Sequence, residues 1–311
     1  MVSGSAADRC SWRSRTRGAS HSLGSTSSDL SRKFADTNQF DQFTALVAGL
    51  FGLSASVALS TLPTFRLIAA KASLPPKIAA IVFYLIVSVA VIVGPFIVQA
   101  GNAIIPLSNF SLRIWIIDLF VLACGSGSLC GLALLAHTQR EITGRSGTVI
   151  ASDEIRSILE ARTYIQRFFV GAAALITMAV IVIGGLQDAL KVDLSSYEDR
   201  FANGDILFIP NIASIPVGAI LIYGVFFAAL LAFAVIPAYR SWQARAADLR
   251  DRLYPLHDDG RAPPDWYEGR SNIEALLQMR PGYGSRVLTI VGILAPLIAS
   301  IISIIIPALQ S

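Results

Sequence analysis

The chain has 311 residues, of which 54% are hydrophobic and 15% charged, with mean hydropathy +0.60. Soluble domains carry roughly 25% charged residues, so this composition excludes an ordinary soluble protein and leaves most of the length for crossing a bilayer. The net charge of +4 and the isoelectric point near 9.1 do not indicate nucleic acid, because the basic residues are spread over segments that flank apolar stretches and form no single stripe.

Residues 1–42 are rich in Ser, Gly and Arg and contain no apolar run before Phe43, which excludes a secretory signal and predicts a disordered tail. The remainder, 43–311, is predicted to be all-α, a polytopic transmembrane helix bundle with about six spans near 43–62, 78–100, 112–136, 168–186, 206–237 and 287–309. Each reaches the roughly 17–25 residues that cross a hydrocarbon core as a helix. The first span is short and interrupted by Gly49, Gly52, Ser54, Ser56 and Ser60, so a re-entrant hairpin is its alternative.

Of the loops between spans, loops 1, 3 and 5 hold nearly all the arginine. Loop 3 carries Arg140, Arg145, Arg156, Arg162 and Arg167; loop 5 carries Arg240, Arg245, Arg250, Arg252, Arg261, Arg270, Arg280 and Arg286. Basic short loops stay inside, which places 137–167 and 238–286 in the cytoplasm and both termini outside if all six spans cross. Arg9, Arg13, Arg15, Arg17, Arg32 and Lys33 in the tail oppose this placement; the first four lie more than about 20 residues from span 1 and count for little, and a re-entrant span 1 would return the tail to the cytoplasm.

Both cytoplasmic loops are predicted to be partly helical and amphipathic. After Pro237, residues Trp242, Ala246, Leu249 and Leu253 recur at helical spacing; before span 4, Ser152 is a candidate N-cap, with Asp153 and Glu154 in the first turn and Ile155, Ile158, Leu159 and Ile165 as a stripe. Acids alternate with the arginines, so mutual packing of the two stripes is favoured over a basic helix lying on lipid. A short helix is expected near 272–279. His257-Asp258-Asp259 precedes it in a turn-rich loop and lacks the second histidine that a metal site would need.

Asp118 is the one acid well inside a predicted span, where a carboxylate costs several kcal/mol unless it is neutral, paired or wet. With Arg113 near the interface and Asn211 in span 5, it forms the candidate intramembrane polar site. In span 5, Pro210, Asn211 and Pro216 would break the helix and free backbone groups for a solute. Gly127 and Gly131, four apart, are the candidate helix-packing pair.

Enzyme chemistry finds no constellation. Ser126 and His137 share a helix face but lie about 16 Å apart along it, Asp118 has no second buried carboxylate, and metalloprotease, P-loop and dinucleotide signatures are absent. Cys124 and Cys130 form neither a disulfide framework nor a metal quartet. No cofactor is expected.

The leading expectation is a non-enzymatic integral membrane component or scaffold that engages a protein partner, or a second copy as a homo-oligomer, through its cytoplasmic helices. The alternative is a small-solute transporter or oligomeric pore using Asp118 and the interrupted span 5. The expected surroundings are the lipid bilayer and no nucleic acid. The excess of arginine over the four lysines, Lys33, Lys71, Lys77 and Lys191, fits a GC-rich bacterial genome and hence the plasma membrane.

Overall fold

A computed structural model describes residues 38–99, 110–143, 151–202, 217–255, 264–279 and 283–310. Among these the chain is all-helical, with seven helices and no strand: α1 (Asn38–Lys71), α2 (Leu74–Gln99), α3 (Phe110–Thr143), α4 (Ala151–Ala202), α5 (Val217–Leu253), α6 (Pro264–Leu276) and α7 (Tyr283–Gln310). Four contain stretches long and apolar enough to cross a membrane, within Phe40–Ala70, Leu112–Gln139, Ser152–Leu186 and Ile220–Leu253. Leu74–Val89 of α2 and Thr289–Ile305 of α7 are shorter apolar stretches.

Several expected boundaries need correction. Residues 38–42, assigned to the disordered tail, are the first turn of α1, where Asp41 stands at the positive end of the helix dipole. The re-entrant alternative for span 1 is not realised, because α1 runs unbroken through Gly49, Gly52 and Pro63. Its interior glycines cost helix propensity; Gly49 is packed closely, since a Cβ there would sit 3.1 Å from Met178 of α4, whereas Gly52 has nothing within 4 Å. Helix α2 starts earlier than residue 78 because Pro75 and Pro76 occupy its first turn, where no N–H is needed, and it runs through Gly94-Pro95. Within the intervals 137–167 and 238–286, the helices expected before span 4 and after Pro237 are present and continuous with the long helices. Residues 137–143 extend α3, residues 151–167 belong to a 52-residue α4, and residues 238–253 extend α5 past Pro237. The short helix is α6, which begins at Pro264 and not near 272. The expected start of span 5, with Pro210, Asn211 and Pro216, lies outside the described residues, as do His257-Asp258-Asp259 and the tail up to residue 37.

Helix α3 packs on α1, α2, α4 and α5, while α4 also packs on α1, α5 and α7, and α5 on α7. The main core joins them through Leu132, Leu135, Phe168, Ala172, Leu231 and Trp242. The outside of the bundle is as apolar as its inside. On α2, the large side chains Ile78, Ile81, Val82, Leu85, Ile86 and Val89 are exposed along one face, and α7 exposes Ile290, Leu294, Ile298, Ile301, Ile302 and Ile305. In water such continuous faces would drive aggregation; in hydrocarbon they are the lipid contact. The chain thus has the make-up of a membrane protein.

Close approach inside this bundle depends on small residues. A Cβ at Gly131 of α3 would lie 2.6 Å from the ring of Phe168, and one at Gly127 would lie 3.1 Å from Oγ1 of Thr61. The pair therefore seats α3 against two different neighbours within the same chain, α4 and α1.

Candidate functional site

The candidate site is the arginine-rich end, where α3, α4 and α5 run beyond their apolar stretches and meet α6. The two amphipathic stripes pack on each other here. Trp242, Ala246 and Leu249 of α5 are buried in the same cluster as Ile158 and Ile165 of α4, and Leu277 closes it from the α6 side. Leu253, at the end of the α5 stripe, remains exposed. Trp242 is fully buried, and its indole Nε1 donates to the carbonyl of Ile158 at 3.0 Å. A buried indole N–H needs such an acceptor.

Polar groups then fix the register of the helices. Arg245 is 4% exposed; its Nη1 donates to Gln139 of α3 at 2.8 Å and its Nη2 to the Ser157 hydroxyl of α4 at 2.8 Å. One guanidinium fork thereby ties three helices, a geometry that the ammonium of lysine cannot reproduce. About two turns further along α5, Arg252 pairs with the buried carboxylate of Glu154 at 2.7 Å. Arg162 is 7% exposed and lies over the Trp242 ring, 5.4 Å from its centroid, while donating to the backbone and side-chain oxygens of Gln278.

Gln278 receives Arg162 because of how α6 ends. Its N–H bonds to the Ala275 carbonyl, the Met279 N–H bonds to the Glu274 carbonyl, and its φ is 52°. This is a Schellman cap with glutamine in the left-handed position that usually belongs to glycine. Glycine would relieve the backbone but remove the Oε1 that meets Arg162.

Helix α6 is latched to the end of α5 by crossed ion pairs. Arg250 bonds Glu274 at 3.0 Å and its neighbour Asp251, and Arg270 reaches back to Asp251 at 2.9 Å. Arg270 also stacks on Trp266, whose Nε1 donates to the Pro255 carbonyl at 2.9 Å. Several partially shielded pairs sharing partners hold a geometry better than one exposed pair does.

What this arrangement supplies is a densely cross-linked, charge-lined block; no cluster of metal-ligating side chains occurs among the described residues. Nε of both Arg162 and Arg245 is buried without a hydrogen-bond partner there, so the block retains donors that packing has not used.

The intramembrane candidates are not assembled into a site. Asp118 is partly buried and makes no hydrogen bond or ion pair to a described residue; Tyr223 of α5 is near enough to feel its charge. Arg113, on the same helix, is exposed and turned away from it, as a five-residue offset on a helix requires. Asn211 lies outside the described residues.

Sequence reasoning treated Arg162 and Arg245 only as topology markers, although both stand on the apolar stripes. Arg162 follows Ile158 and Leu159 by four and three positions, and Arg245 follows Trp242 by three and precedes Leu249 by four. An arginine at a buried helical register is the signal that marks them. No protein-family model, no curated protein and no solved structure matches the chain.

Proposed function

We propose that this chain is a non-enzymatic, multi-pass component of a bacterial plasma membrane, with six spans formed by α1, α2, α3, α4, α5 and α7. The arginine-rich block faces the cytoplasm and acts as a platform for a protein partner or a second copy. The observation that carries this reading is the block's construction. Desolvating arginines is costly, and an apolar filling of equal shape is often as stable, so a network of this kind is best understood as fixing one arrangement of the helices. The arrangement presents α6, which leaves Tyr267 and Leu276 exposed on a helix otherwise latched by ion pairs. The solute-transport alternative has only Asp118 and Tyr223 among the described residues to support it.

The test is chemical cross-linking in intact membranes followed by purification in mild detergent. The wild-type chain is expected to yield one dominant cross-linked species, a homodimer or a heteromer. Tyr267→Asp and Leu276→Asp, both on exposed sites, should reduce that species at least fivefold while leaving the thermal unfolding midpoint within about 2 °C of wild type, since surface substitutions cost within about 0.5 kcal/mol. A wild-type chain that is strictly monomeric and without partners would remove the proposal.

A further inference from the structure

Beyond their apolar stretches the helices carry two kinds of cation. The arginines furthest from those stretches are paired: Arg156 with Glu160, Arg252 with Glu154, Arg250 with Glu274 and Arg270 with Asp251. Closer in stand Arg66 of α1, Arg167 of α4 and Arg240 of α5, all exposed, and the half-buried Lys77 of α2; none of these makes an ion pair to a described residue. Contacts between the helices bring the four to a common height. Arg167 Nη1 donates to Oγ1 of Thr64 at 3.0 Å, the Phe168 ring fills the space over Gly131, the Cys130 thiol lies 3.8 Å from the Ala80 carbonyl, and Trp242 sits under Arg162. Counted from these contacts at 1.5 Å per residue, the four cations fall in a band about 10 Å deep. The helices offer this band no acid. Neither α2 nor α7 has one, α1 has Asp41 at its other end, and α3 has none between Asp118 and Glu141. The nearest on α4 is Glu160, already bonded to Arg156, and the first on α5 after Arg240 is Asp248.

We propose that Arg66, Lys77, Arg167 and Arg240 form a belt that binds the phosphates of anionic phospholipids, of the phosphatidylglycerol kind, where the bundle leaves the hydrocarbon. Two observations name the occupant. Each cation shares a helix face with an exposed large apolar side chain one or two turns nearer the middle of the bundle: Leu59 for Arg66, Ile81 for Lys77, Val170 for Arg167 and Ile236 for Arg240. A molecule that covers both must be apolar at one end and negative at the other, which describes a phospholipid and not a soluble anion. Positive charge without an acid nearby then favours a headgroup whose phosphate is not neutralised by an ammonium of its own. Local folding does not account for these charges. Lys77 stands at the start of α2, the positive end of the helix dipole, where a cation is disfavoured and no acid in the first turn offsets it. Long side chains suit the task, because their stems lie along apolar surface while the charged ends reach the headgroups.

The inference rests on the reading that these helices cross a bilayer and owes nothing to a protein partner. The full chain is reconstituted in phosphatidylcholine vesicles with a trace of acyl-chain spin-labelled phosphatidylglycerol or phosphatidylcholine, and electron spin resonance gives the fraction of each probe held at the protein surface. Wild type is expected to favour the phosphatidylglycerol probe roughly twofold or more: a cation beside an anionic headgroup is worth about fivefold at its own contact, but most surrounding lipids touch none. In about 1 M salt, where the Debye length falls to about 3 Å, the preference should largely vanish. Combining Arg66→Gln, Lys77→Gln, Arg167→Gln and Arg240→Gln should bring the two probes to equality, with the phosphatidylcholine probe still held as a sign that the variant is inserted. Arg156→Gln, which removes an exposed charge outside the belt, should keep the preference. Equal binding of both probes by wild type overturns the belt and leaves membrane insertion standing, whatever any variant does; absence of any held probe removes the spanning reading with it. A preference that survives all four substitutions also overturns the proposal.

Discussion

Replacing Trp242 by alanine is expected to destabilise the protein by about 3–5 kcal/mol, the range for removing a large buried aromatic side chain. The loss has three sources that act together. The indole fills the junction of α4 and α5 with no exposed surface, its N–H satisfies the Ile158 carbonyl at 3.0 Å, and its ring shields Arg162. Without the ring, Arg162 is left in a cavity with a charge and a thinned set of contacts, and water must enter to solvate it. The effect should be local before it is global. Hydrogen exchange in detergent is expected to rise first over residues 154–165 and 238–250, while the apolar stretches of α3 and α4 keep their protection. Uniform loss of protection over the whole bundle would contradict a role for Trp242 confined to the arginine-rich end of the core. Trp242→Phe keeps most of the volume and loses only the donor, so it should cost far less, on the order of 1–2 kcal/mol.

Gly131→Leu is the second large effect. The site is already filled by the fully buried Phe168, with three ring atoms between 2.6 and 2.8 Å from where a Cβ would stand. Overpacking of this kind costs typically 1–3 kcal/mol and occasionally more, against at most about 1 kcal/mol regained from helix propensity. Phe168→Ala alone should cost about 3–5 kcal/mol by opening a cavity. Combined, the two substitutions should be less destabilising than their sum, because the new leucine enters the space the ring has left. Gly52→Ala is the control: nothing lies within 4 Å of a Cβ there, so thermal unfolding should show a slight gain, about 0.5–1 kcal/mol. Strict additivity of Gly131→Leu and Phe168→Ala would mean that the glycine does not seat α3 on α4.

Much of this architecture is legible in the sequence, for particular reasons. Apolar length is a strong signal, so α1, α3, α4 and α5 were placed, and the stripes beginning at Ile155 and Trp242 showed that α4 and α5 continue past their apolar stretches. Helix ends were read less well. The apolar count stops at the first polar residues, whereas helices α1, α3 and α4 run on through polar turns whose backbone bonds are satisfied locally. Gly49 and Gly52 suggested a hairpin, since glycine loosens an isolated helix, but tertiary contact with Met178 holds that turn. The site was the least legible part. Asp118 is conspicuous in the sequence because an acid in a span stands out by itself. The pairing of Arg245 with Gln139 and Ser157, or of Arg162 with Gln278, joins residues separated by 88 to 116 positions, and no local pattern announces such partners. The latch between Arg270 and Asp251 likewise depends on how the chain turns back between α5 and α6.

In the proposed topology the arginine-rich block and the start of α1 lie on opposite sides of one membrane, and site-specific thiol labelling tests that most directly. In a chain with Cys10, Cys124 and Cys130 replaced, single cysteines are introduced at Asp41, Gln243 and Tyr267, all exposed positions. A membrane-impermeant maleimide applied to intact bacterial spheroplasts should label the position-41 cysteine alone, with the other two reacting only after permeabilisation. Labelling of positions 243 and 267 from outside, or of all three from the same side, would contradict the six-span arrangement and the cytoplasmic platform with it.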